Sequence, residues 1–177
     1  MTVIAASGCI SQIDDALQNL LASCAAWQDW TGTADADAAR GHISQKGIAA
    51  DGDEPTFSAA ELVNLRPAAI FFADEESAYI FNWSAEAGFI GGGSASFILQ
   101  DNIPAHLADD IPGADRWFKN KLGDVVDDMR ETAGSGGHLL VQQIIVSETT
   151  RSPRDDRPSL GDYATAMIRV IFGNLES

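Results

Sequence analysis

The sequence predicts an α+β fold: an antiparallel or mixed β-sheet of about five strands with two helices packed on one face, in the order α-β-β-β-α-β-β. Two segments, 10–27 and 115–132, repeat apolar residues at helical spacing. Short runs rich in β-branched and aromatic residues lie between and after them, and the last of these alternates in the manner of a half-buried strand.

In the first segment Ile10, Ile13, Leu17, Leu20, Leu21, Cys24 and Trp27 form one apolar stripe. Asp14 and Asp15 lie near its N-terminal end, where acidic groups suit the helix dipole. Residues 31–60 are small and polar and lack periodicity, so a long loop or arm is expected there. Three strands follow: 68–73, opened by Pro67; 78–83; and 95–100. The glycine-rich stretch 88–93 reads as a turn or tip between the last two. After a connector over 104–113, Phe118, Leu122, Val125 and Met129 mark the second helix, and the glycines of 134–137 end it. Two strands close the chain, 139–147 and 163–172, with Ala164, Ala166, Ile168, Val170 and Phe172 on one face of the last. Between them, 149–159 reads as an extended charged hairpin loop.

The chain has 177 residues, with 11 Lys+Arg against 26 Asp+Glu and a formal net charge of −15. At 45% hydrophobic and 21% charged, one packed domain over 1–177 is expected. Phosphate-driven affinity needs clustered basic residues, so nucleic-acid binding is not expected. No run nears the ~18 apolar residues that span a bilayer, so no membrane role is expected either. The N-terminus lacks a basic n-region and fails as a signal peptide. Cys9 and Cys24, about 22 Å apart along a helix, are too distant for a disulfide and fit a reducing compartment.

Catalytic signatures are not evident. His42, His106 and His138 have no metal-ligand spacing around them. The carboxylates at Asp35, Asp37, Asp51, Asp53 and Glu54 miss the register of a calcium loop. Neither glycine cluster has the residues of a phosphate loop, and no G-x-S-x-G occurs. No enzyme activity, metal or cofactor is therefore expected. Trp27 is expected in the core. Trp30 is a candidate contact with a partner protein, because Trp is enriched at binding hot spots.

The segment Ile144-Ile-Val-Ser-Glu-Thr-Thr-Arg-Ser-Pro-Arg-Asp-Asp-Arg-Pro-Ser-Leu-Gly-Asp-Tyr-Ala-Thr-Ala-Met-Ile-Arg-Val-Ile-Phe-Gly173 runs from a strand into an Arg- and acid-rich loop. A Gly-Asp-Tyr re-entry then leads into an alternating last strand. With the element order over 10–173, this resembles the tail-terminator and related neck (head–tail joining) proteins of long-tailed bacteriophages. The 31–60 segment is longer than that pattern, and Ala164 stands where an aromatic often follows the tyrosine. The resemblance implies a virion protein made in the bacterial host cytoplasm. It would form a ring with copies of itself, commonly a hexamer, on the finished tail tube. Its partners would be the tail tube protein and the head–tail connector protein. Arg151, Arg154 and Arg157 would then form a basic patch facing an acidic neighbour. An acidic ring could also line a channel that DNA traverses without sticking. The alternative is an acidic cytoplasmic binding or inhibitor module that meets a basic protein.

Overall fold

A computed structural model describes residues 10–45, 66–72, 79–84, 88–134, 141–152 and 162–173. Helices α1 (Ile10–Ala22), α2 (Ala25–Thr31) and α3 (Ala36–Arg40) lead into strand β1 (Ile43–Gln45). Strands β2 (Ala68–Phe72), β3 (Tyr79–Ser84) and β4 (Gly88–Asn102) follow. A 3-10 turn (Ala105–Leu107) precedes the long helix α4 (Ile111–Gly134), and β5 (Val141–Val146), β6 (Thr150–Ser152) and β7 (Tyr163–Gly173) complete the fold.

The centre of the sheet is one long antiparallel ladder between β4 and β7, from Gly92↔Gly173 to Asn102↔Tyr163. β2 and β3 share the other edge of β4, one beyond the other. β5 and β6 likewise share the other edge of β7. β1 lies outside β2 and runs parallel to it, which makes an otherwise antiparallel sheet mixed. The α+β class read from the sequence is the class observed.

From Ile13 onward, both predicted helical stripes are buried. Ile13, Leu17, Leu21, Cys24 and Trp27 from the N-terminal helices meet Phe118, Leu122, Val125 and Met129 of α4. Against them stands the inner face of the sheet: Phe71, Phe97 and Leu99, with the predicted alternating set Ala164, Ala166, Ile168, Val170 and Phe172. Apolar area removed from water, worth ~25 cal/mol per Å², is what holds these layers together.

Four local expectations are corrected. The first helix is not continuous through Trp27. It ends at Ala22, and Cys24 is extended (φ −70°, ψ 127°) before α2 begins. The new N-terminus is capped from across the fold, where the Ala26 N–H donates to Asp128 Oδ2 at 2.7 Å. The 31–60 segment is not all loop, since it holds α3 and β1. Asp35 caps α3 by accepting from the Ala38 N–H at 2.8 Å, and β1 exists because β2 pairs with it. Residues 46–60 lie outside the described residues. The glycines of 88–93 are strand, not turn, because Gly92 lies directly against Gly173. Finally, the 149–159 loop begins with a strand, β6, paired to the start of β7.

The second helix also starts earlier than its periodicity, at Ile111. Pro112 fits the first turn, where its missing N–H costs nothing. Asp110 Oδ1 accepts from the Gly113 N–H at 3.0 Å and acts as the cap.

Candidate functional site

Among the described residues, three places gather polar or charged groups. The first lies inside the fold. Trp30 is buried on α2, its ring edge-on to Trp27 at 5.7 Å and to Phe118 at 5.4 Å. Its Nε1–H donates to Asp101 Oδ2 of β4 at 2.7 Å. The other Asp101 oxygen accepts from the Asn102 N–H at 2.8 Å. Burial raises the Asp101 pKa, and the Trp30 bond, the Asn102 bond and the charges of Lys121 and Arg66 oppose that rise. Lys121 Nζ lies 5.3 Å from the Trp30 ring centroid. Trp30, a candidate partner contact in the sequence, thus has its indole taken up within the chain.

The second is an acidic cleft of about 450 Å³ between α2 and α4. Asp29, Asp124, Asp127 and Asp128 line it, with Lys121 as the cation. Asp128 is partly committed as the cap of α2. Among the described residues no group of three or more His, Cys, Asp or Glu is arranged to hold a metal ion. Asp35 and Asp37 belong to the start of α3. Asp51, Asp53 and Glu54 lie outside the described residues.

The third is the corner where β6 joins β7. Arg151 donates from Nε to Asp162 Oδ2, and its terminal nitrogen donates to the Ala108 carbonyl at 2.8 Å. One side chain therefore ties β6 to the entry of β7 and to the turn before α4. A groove of about 290 Å³ runs beside it, lined by Ile103, Ile111, Pro112, Thr149 and Ala164 among others. Ile111 is 66% exposed there. Arg154 and Arg157 lie outside the described residues, so only one of the three predicted arginines is placed.

The remaining candidates have structural duties. His42 shares a 2.7 Å hydrogen bond between Nδ1 and the Pro67 carbonyl, joining β1 to the entry of β2. His106 sits in the 3-10 turn, and His138 is outside the described residues. Cys24 is fully buried, its Sγ donating to the Leu20 carbonyl at 3.2 Å. Desolvation pushes its thiol up to about 12, which disfavours the thiolate. Cys9 lies outside the described residues.

Sequence reasoning missed Asp101, Asp128 and Asp162 as organising groups. Asp162 alone carried a local signal, as the acid of the Gly-Asp-Tyr re-entry. No family model matches the chain, and no curated protein matches it. Among the described residues, no helix is long and apolar enough to cross a membrane.

Proposed function

We propose that the chain is a structural virion protein of the phage neck, which caps the tail tube, ends its polymerisation and offers the surface that joins tail to head. One observation supports the reading: the eleven-residue β4–β7 ladder ends at a corner where Arg151 of β6 bonds to Asp162, so the start of the charged 149–159 segment is fixed to the sheet. A ring subunit needs that combination, a stiff scaffold with the base of a charged segment anchored on it.

In this reading the subunit assembles with copies of itself, commonly as a hexamer. It meets the tail tube protein on one side and the head–tail connector protein on the other. Arg154 and Arg157 face an acidic neighbour, while Arg151 fixes the base of the segment. Charge complementarity at such a contact selects the partner and its register more than it adds affinity.

Electron microscopy of particles made with the gene disrupted tests the reading. Overlong tails, or tails detached from filled heads, are expected; normal particles would remove it. Arg154→Glu with Arg157→Glu should reproduce the defect while the purified subunit stays folded. Arg151→Glu is less informative, because it also breaks the internal corner.

The acidic cleft favours a second reading, a binding or inhibitor module for a basic protein. It would bind that partner as a monomer or dimer and never form rings.

A further inference from the structure

β1 and β5 end the strand order β1-β2-β4-β7-β5, and their outer edges are treated differently. At the β1 edge the exposed backbone is short and partly covered: Arg40 donates to the Ile43 carbonyl at 3.1 Å, and the Gln45 side chain bonds to Asp14 of α1 at 3.1 Å. At the other end, β5 pairs with β7 and, among the described residues, with no strand on its outer side. Its sequence, Val-Gln-Gln-Ile-Ile-Val, contains no charge and no proline. Natural edges are normally blunted with such residues, because unpaired N–H and C=O groups template another strand. The single irregularity is a register shift between Val141 and Gln143. Ile145 is 42% and Val146 41% exposed.

The Ser147 N–H donates to the Met167 carbonyl, so Ser147 turns its backbone groups inward to β7. By the alternation of an antiparallel ladder, Ile145 and Gln143 do the same. Ile144 and Val146 therefore point their N–H and C=O groups outward. Ile144 lies partly buried against the core, and Ile145 stands on the opposite face of the sheet, across from Arg169.

We infer that the β5 edge pairs antiparallel with the β5 edge of a second copy, about a two-fold axis through Ile145. That axis is perpendicular to the sheet, so each paired position must lie on the same face in both copies. Ile145 then meets Ile145, Ile144 meets Val146, and Gln143 meets Ser147. The pairs between Ile144 and Val146 are the hydrogen-bonded ones, which is where the outward groups point. Every exposed apolar side chain of the strand acquires an apolar neighbour.

The self-complementary apolar register selects a second copy as the occupant, against the net charge, and closure limits it to one. Two chains of −15 repel, and a neutral strand is where they approach at least cost. The nearest carboxylate along the strand, Glu148, is three residues from the axis. Its copies would stand roughly 20 Å apart at ~3.4 Å per residue, beyond a Debye length of ~8 Å at physiological salt. Because the contact is isologous, each β5 edge is used once, and pairing through it ends at a dimer rather than a fibre. The inference does not rest on the neck reading, which leaves this edge unused.

Sedimentation equilibrium of the full chain, with disulfide trapping, tests it. A species of twice 18.8 kDa is expected at about 100 µM. Ile145→Cys should give a covalent dimer on mild oxidation, because Cα atoms at a non-hydrogen-bonded pair lie ~4.5 Å apart, within disulfide reach. Wild type, carrying only its own cysteines, should not. Ile145→Lys places a charge on the axis and should weaken dimerisation about tenfold or more. Val146→Pro removes only an outward N–H and should do likewise. Far-UV circular dichroism establishes that each variant is folded. A wild-type chain that stays monomeric at that concentration would overturn the inference. So would a dimer that ignores Ile145→Lys, or an Ile145→Cys variant that is no more cross-linked than wild type.

Discussion

Asp101 lies on β4 with one oxygen under the Trp30 N–H and the other on its neighbour's amide. Burial disfavours its charged form, and the two hydrogen bonds and the nearby cations return only part of the lost solvation, so its pKa stays raised. In the unfolded chain the carboxyl titrates at its ordinary value; in the fold it keeps its proton to higher pH. Between the two values the folded state binds more protons, so this group's contribution to stability falls as pH rises through that window. Asp101→Asn keeps an oxygen for Trp30 and cannot ionise. It gives up the acceptor for the Asn102 N–H, so the pH-dependent signal is that its stability relative to the parent should rise from pH 4, near the ordinary carboxylate range, to pH 7. Asp101→Ala leaves the buried indole N–H unpaired and should cost about 1–3 kcal/mol. Urea denaturation of the three proteins across that pH range checks both. A gain for the Asn variant that grows as the solution is acidified would reverse the sign assigned here.

Elements depend on partners far away in sequence, and the two glycines Gly92 and Gly123 separate that effect from propensity. A Cβ at Gly92 would lie 3.0 Å from the Phe172 carbonyl oxygen and 3.1 Å from the Gly173 Cα. Gly92→Val improves strand propensity and yet should destabilise by about 1–3 kcal/mol, because backbone rather than a flexible side chain must give way. Gly123, in the middle of α4, has nothing within 4 Å of such an atom. Gly123→Ala should stabilise by roughly 0.5–1 kcal/mol. Thermal denaturation of both variants checks the opposite signs. The same distinction explains what the sequence made legible. The stripes of α1, α4 and β7 are local patterns, and their burial followed from periodicity alone. The helix break at Cys24 was not legible, since Asp128 caps α2 from 102 residues away. The 88–93 glycines read as a turn because Gly173, their reason for being strand, lies across the sheet. At the candidate site, Arg151 stood out as a charge in a charged loop. Its commitment to Asp162 and to the Ala108 carbonyl is a product of the β6–β7 corner. Trp30 was open to reading as either a packed residue or a partner contact because its acceptor, Asp101, is 71 residues on.

On the scale of the whole molecule, charge sets the conditions under which the fold and its contacts operate. With 26 acidic and 11 basic residues, ion pairing can neutralise at most 11 carboxylates and leaves a surplus of 26 − 11 = 15. Pairs such as Lys119–Asp115 and Arg130–Asp127 are exposed, and such pairs are worth about 0–1 kcal/mol. Net repulsion therefore outweighs surface pairing, and it acts on folding and on association alike. At ~10 mM ionic strength the Debye length is ~30 Å, long enough for every carboxylate to feel the others; at 0.15 M it is ~8 Å. Raising salt between these limits should raise the Tm and tighten the β5–β5 dimer. The dimer should respond more strongly, since it brings two surpluses together while the monomer relieves only its own. Differential scanning calorimetry on the Ile145→Lys variant isolates the folding response, and sedimentation equilibrium on the wild-type chain reads association. A Tm that falls with added salt would mean that specific ion pairs, the Arg151 corner first among them, outweigh the surplus. In that case the acidic balance would have to be explained by what the surface binds, not by how it keeps copies apart.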